Sequence, residues 1–197
     1  MSEYAVPPAQ PETASASKPV LPWKPLLLRG VVAAVFGMVT VFWQQPGGFA
    51  AALAIALYLL ATAATVLWLR TLLPLARAGL RRALGLEIAF LALAGLASVL
   101  LYSLLPYAVT VAAGLILAGA SALLAGWRDR KSSQLAKDML STSTVTLATG
   151  IVLPLFLALG PKALLGVLGG SAIILAVLLL LAGLSYRHDA RQAGRRP

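Results

Sequence analysis

The chain has no cysteine and only one histidine in 197 residues. That removes disulfide frameworks, thiolate metal sites and cysteine nucleophiles from consideration. His188 lies beyond the last apolar run and reads as a solvated juxtamembrane residue rather than a metal ligand. Acids are scarce as well, six Asp and Glu against sixteen Lys and Arg, for a net charge of +10. Only 11% of residues are charged, whereas soluble domains carry about 25%. The basic residues punctuate apolar runs and form no stripe with interleaved aromatics, which argues against nucleic-acid binding. There is no Gly-rich phosphate loop, no His/Glu metal spacing, no pair of intramembrane carboxylates and no serine nucleophile with a nearby histidine. An enzyme is therefore not expected, and neither is a metal or other cofactor.

What is abundant is apolar sequence, 60% of all residues, with a mean hydropathy of +0.89. A spanning helix needs about 20 mostly apolar residues, because each adds about 1.5 Å across a hydrocarbon core of about 30 Å. Six stretches qualify: Leu26 to Trp43, Phe49 to Leu69, Ala83 to Tyr102, Tyr107 to Trp127, Met139 to Leu159 and Ala163 to Tyr186. The fifth is the weakest, since it opens on Ser141, Thr142, Ser143 and Thr144 and contains Pro154. Residues 1–24 are rich in Pro, Ala, Ser and Thr and lack the features of a signal peptide, which predicts a disordered tail. Residues 187–197 predict a basic C-terminal tail.

Connections between these stretches alternate in kind. Gln44 to Gly48, Ser103 to Pro106 and Gly160 to Lys162 are short turns built on Pro or Gly, whereas Arg70 to Arg82 and Arg128 to Asp138 are longer and basic. Fifteen of the sixteen Lys and Arg residues fall on one side of this alternation, and only Lys162 faces the other. Basic loops are retained in the cytoplasm. The expectation is a multi-pass protein of the bacterial cytoplasmic membrane with both termini inside and anionic lipid headgroups against its basic clusters. Trp23, Trp43, Trp68, Tyr102, Tyr107, Trp127 and Tyr186 fall at the expected interfaces, where amphipathic rings prefer to sit.

The chain also repeats. Arg29, Gly37 and Pro46 are spaced 8 and 9, Glu87, Gly95 and Pro106 are spaced 8 and 11, and Thr142, Gly150 and Pro161 are spaced 8 and 11. The period of 55 to 58 residues predicts one helical hairpin used three times, with hairpins at about 25–69, 83–127 and 139–186. The expected fold is all-α, an integral membrane bundle of six transmembrane helices built from three repeated hairpins. Small residues at intervals of four let helices approach closely in lipid. Gly114, Ala118, Ala122 and Gly126 form such a stripe, as do Gly166 with Gly170 and Ala33 with Gly37. They serve either packing within the chain or a homo-oligomer face.

The segment LLLRGVVAAVFGMVTVFWQQP, with Arg-Gly opening a helix, a later Gly and Pro at the turn, resembles the short repeat of HdeD-like bacterial acid-resistance membrane proteins. The resemblance runs over roughly Leu26 to Tyr186, although the second copy has Glu87-Ile88 and the third Thr142-Ser143 in place of Arg-Gly. It implies three hairpins, a bacterial cytoplasmic membrane and a role in acid stress or membrane assembly, and it carries no catalytic residues.

Arg29 and Glu87 are the base and the acid expected inside spans. Charges there cost about 2.5 to 3.5 kcal/mol on insertion scales and usually pair or line a cavity. Both hold the first position of their repeat, with Thr142 as the third member of the layer, so an Arg29 to Glu87 salt bridge is expected. The same layer offers a second reading, a small transporter or channel with a proton-responsive gate. Thr142, Thr146 and Thr149 share a helix face, and Pro154 frees the carbonyl of Gly150, which gives that reading a candidate polar face.

Overall fold

A computed structural model describes residues 22–73, 78–101, 107–131 and 134–193. The tail at 1–21, the turn at Ser103 to Pro106, Tyr102, Arg77, Arg195 and Arg196 lie outside the described residues. The fold is all-helical, with α1 over Trp23–Phe42, α2 over Gly48–Leu72, α3 over Ala78–Leu100, α4 over Tyr107–Asp129, α5 over Gln134–Val152 and α6 over Pro161–Ala193. Six helices among the described residues are long and apolar enough to cross a membrane.

Local chemistry explains most of the boundaries. Pro22 is extended ahead of α1, and Pro25 sits in the first turn, where a missing N–H costs no helical bond. Pro154 cannot donate to the carbonyl of Gly150. Past that point the α-helix tightens into a 3₁₀ segment over Leu153–Leu159, closed by Gly160 at φ 84°, a conformation that favours glycine. Five of the six helices start before the expected stretches, most of all α3, at Ala78 rather than Ala83, and α5, at Gln134 rather than Met139. At the other end α6 runs for 33 residues, about 50 Å at 1.5 Å per residue. Arg187 to Ala193 thus continue the helix into the basic C-terminal segment.

Each helix packs on its neighbours in sequence, and α6 closes the ring on α1. The outward surface is apolar, with Val41, Phe42, Leu93, Leu124 and Leu155 more than 60% exposed. In hydrocarbon such a surface carries no exposure cost, since lipid tails are as apolar as the side chains that meet them. The closest packing does not follow the expected hairpins throughout. α6 with α1, α4 with α5, α3 with α4 and α2 with α3 share extensive surfaces, whereas α1 with α2 and α5 with α6 share less. Phe36 and Tyr58 account for part of this: their rings stack 4.2 Å apart and hold α1 away from α2, where the α3–α4 hairpin has only Gly114 against Ala94.

The repeat glycines lie in the three close pairs that cross between hairpins. An added Cβ on Gly37 would lie 3.1 Å from the Gly169 carbonyl of α6, one on Gly95 would lie 3.3 Å from the Ala56 carbonyl of α2, and one on Gly150 would lie 3.0 Å from the Ala112 carbonyl of α4. Ten residues before each glycine the same seams pair a large side chain with a small one. Leu27 meets Gly183 and Leu140 meets Gly126, while in the middle seam the order is reversed and Arg70 lies over Gly85. Close approach of this kind replaces the hydrophobic driving force that lipid removes.

Candidate functional site

The first candidate layer assembles in the bundle interior. Arg29 of α1 donates to Glu87 of α3, Nη2 to Oε1 at 2.8 Å, with Arg29 12% and Glu87 6% exposed at their side chains. These helices are second neighbours in the ring, so the ion pair crosses behind α2 and links two elements that share no extensive surface. Burial at this level rules out snorkelling as the way these charges are accommodated. Thr142 of α5 joins the two around a common cavity of about 70 Å³, which is also lined by Asp138, Ser141, Ser143 and Thr146. A water needs about 10 to 15 Å³ of such volume and two to four polar partners, so the cavity suits a short chain of waters.

A second, smaller cavity of about 20 Å³ shares Arg29 and Thr146 in its lining with the first and is lined further along by Tyr58, Thr62, Thr149 and Ser171. The polar interior therefore runs from the end of the bundle that carries the basic linkers to about mid-depth. Beyond it the core is closed by Ala51, Ala52, Ala108, Val111, Leu153 and Leu165, all at 2% exposure or less. Ser98 is a buried polar side chain there, and its hydroxyl donates to the carbonyls of Gly95 at 2.7 Å and Ala52 at 3.3 Å.

The threonine face is real but mostly bonded to itself. Thr146 donates to the carbonyl of Thr142 at 3.0 Å, Thr149 to that of Val145 at 2.7 Å, and Thr142 to those of Asp138 at 3.1 Å and Met139 at 3.3 Å. Each hydroxyl spends its proton on its own helix, as serine and threonine commonly do there. What remains toward the cavities is acceptor oxygen, which can solvate water or a cation but donates nothing.

The small-residue stripes divide. Gly37, Gly95 and Gly150 are seam residues, Gly114 packs on Ala94 and Phe90 of α3, and Ala118 is fully buried. Gly166 and Gly170 pack no helix among the described residues, none of whose heavy atoms lies within 4 Å of a Cβ added at either. The packing face of α6 runs through Leu165, Gly169, Ala172, Ala176 and Gly183 instead, and Gly169 meets Thr40 of α1.

Asp138, which the sequence reading placed in a basic linker, also lines the larger cavity. Because α5 begins at Gln134, Asp138 sits one helical turn before Thr142, half-buried, and faces the same cavity as Glu87. Tyr186 of α6 donates its hydroxyl to Asp138 Oδ2. The spacing of four to Thr142, and the serine pair ahead of Gln134 as a helix-start signal, were the available clues. Asp138 therefore lines the same cavity as Glu87 and Arg29, at its basic end.

Trp23 marks the same end of the bundle, with Lys24 at 5.7 Å and Arg187 of α6 at 5.5 Å from its ring. Such contacts suit an interfacial anchor. No family model matches this chain, and neither does any curated protein or solved structure.

Proposed function

We propose that this membrane protein is a non-catalytic, acid-responsive component of the bacterial cytoplasmic membrane, with both termini cytoplasmic and the Arg29–Glu87 pair as its responsive element. One observation carries the reading: a buried ion pair ties α1 to α3 across the interior of a bundle in which those helices are not packing neighbours. When Glu87 takes up a proton, Arg29 loses its counter-charge, and a buried guanidinium left unpaired is costly. α1 then gains a reason to shift against α3 or to admit more water. The resemblance to acid-resistance proteins agrees with this chemistry, and the equivalent placement of Gly37, Gly95 and Gly150 in three seams supports the triplicated hairpin behind that resemblance. Orientation follows from the charge bias of the linkers, which also favours anionic lipid at that face.

The absence of cysteine makes the test direct. Leu28 and Leu86, both lipid-facing at the basic end of α1 and α3, are replaced by cysteine and spin-labelled in proteoliposomes. Acidification should change the interlabel distance in the otherwise unaltered protein and leave it fixed once Glu87→Gln is added. A distance that ignores pH in both would overturn the reading.

A second reading, a small proton or cation path, draws on a separate observation: Arg29 and Thr146 line both cavities. It requires the apolar outer half to open. Flux reported by a pH dye in proteoliposomes, lost with Glu87→Gln, would favour it, and tight vesicles with properly inserted protein would argue against it.

A further inference from the structure

We infer that Asp138 is the port through which a proton from the basic end of the bundle reaches Glu87, with Tyr186 holding it in place. The inference rests on the acid-responsive reading of Glu87 and adds the route. Glu87 is only 5% exposed, so its proton must arrive through the interior. Asp138 is half-buried, stands at the basic end of α5 and lines the same cavity of about 70 Å³.

The geometry assigns the two carboxylate oxygens of Asp138 different tasks. Oδ2 accepts the hydroxyl proton of Tyr186, a residue buried to 5% exposure, which fixes the rotamer of the carboxylate. Oδ1 is left to take a proton from outside. Thr142 donates to the backbone carbonyl of Asp138 rather than to its side chain, so it does not compete. Of the charged groups, Arg29, Glu87 and Asp138 line the cavity, and Tyr186 bonds Asp138. At the same end of the helices stand Lys24 of α1, Arg70 of α2, Arg81 and Arg82 of α3, Arg128 and Asp129 of α4, Lys137 of α5, and Arg187, His188 and Asp189 of α6. The surrounding excess of positive charge draws in no protons by itself. An acceptor at the mouth is what makes entry efficient.

The transfer balances as follows. A hydronium ion outside gives a proton to Asp138 Oδ1 and becomes water. Asp138 passes a proton to the near end of a water chain in the cavity and returns to carboxylate. At the far end a water gives a proton to Glu87, so that one proton has moved from bulk to Glu87 and Arg29 keeps its charge throughout. Asp138 is a relay and positioning group, and its loss should change the rate of protonation while leaving the final extent.

The experiment is a rapid drop in pH on the full chain in lipid nanodiscs, followed by the infrared band of a protonated carboxyl. The band is assigned by its disappearance in Glu87→Gln. In Asp138→Asn the same band should reach the same final amplitude about a hundredfold more slowly, the scale on which a positioned acid or base acts. Asp138→Glu should restore most of the rate, and Tyr186→Phe should slow it to a lesser degree. An unchanged rate in Asp138→Asn would overturn the route, and so would a loss of final amplitude, which would make Asp138 a determinant of the equilibrium instead. If Asp138→Asn fails to fold, an unchanged rate in Tyr186→Phe overturns the route in its place. A band that survives Glu87→Gln would instead overturn the underlying reading of Glu87.

Discussion

Two layers of this bundle, eight residues apart on the same three helices, hold their neighbours by opposite means. At Gly37, Gly95 and Gly150 the side chain is absent and each helix comes to within van der Waals distance of a carbonyl on the helix beside it. At Arg29, Glu87 and Thr142 the side chains are polar, a cavity of about 70 Å³ opens, and one of the contacts crosses the ring. The glycine layer gains dispersion contact over a dry surface, whereas the polar layer gains Coulomb energy from two charges that would otherwise be unaffordable there. A packed seam has one good arrangement. An ion pair has a charged and a protonated form, so the polar layer is where the acid response proposed above would reside.

The contrast can be broken by substitution. The largest effect is expected at the polar layer: Glu87→Gln leaves Arg29 buried without its partner and should cost about 3 to 5 kcal/mol. The double change Arg29→Gln with Glu87→Gln should cost less than that single one when unfolding is measured in lipid bicelles. Equal losses would show that the pair has no coupling. Next is the seam. Gly150→Val places a side chain against the backbone nitrogen of Ile116 at 2.8 Å and the Ala112 carbonyl. Neither can move without its helix, so about 2 kcal/mol or more should be lost, with no dependence on pH. A pH-dependent loss would mean that the two layers are not separable.

Smaller effects sharpen the boundary between the polar and the sealed halves. Ser98→Ala removes the hydrogen bond to Ala52 in the outer core and should cost only about 0.6 kcal/mol, the average for such bonds between membrane helices. Smallest of all, Gly166→Leu with Gly170→Leu should leave the monomer's stability within about 0.5 kcal/mol, since both positions are open. If the double change instead alters the mass of the detergent-solubilised particle, these glycines serve contact between copies rather than within one.

The layers themselves could be found by counting along the chain. Arg29, Glu87 and Thr142 share a distance of eight to the next repeat glycine, and that register placed them at one depth. The seam partners could not be found this way. Gly166 and Gly170 have the spacing of a packing motif, yet α6 turns Gly169 toward Thr40 and Gly37 and leaves them outside. A four-residue spacing says that two small residues share a face, but not which neighbour, if any, the face meets. Asp138 was hidden for a different reason. A helix can extend past its apolar stretch at little cost, so hydropathy located the span of α5 and missed its polar first turn.

The sequence by itself determined that the chain crosses a membrane six times, and it determined the charge asymmetry and the depth of its polar residues. Those properties follow from length, hydropathy and register, each a sum over local choices that any neighbour must accept. Only the tertiary structure decided that α6 closes on α1, and α5 on α4, more extensively than α2 on α1 or α6 on α5, that Arg29 reaches past α2 to Glu87, and that Asp138 shares their cavity. Helix rotation and partner choice in lipid depend on the fit of small side chains against particular carbonyls, and that fit exists only once the helices have met.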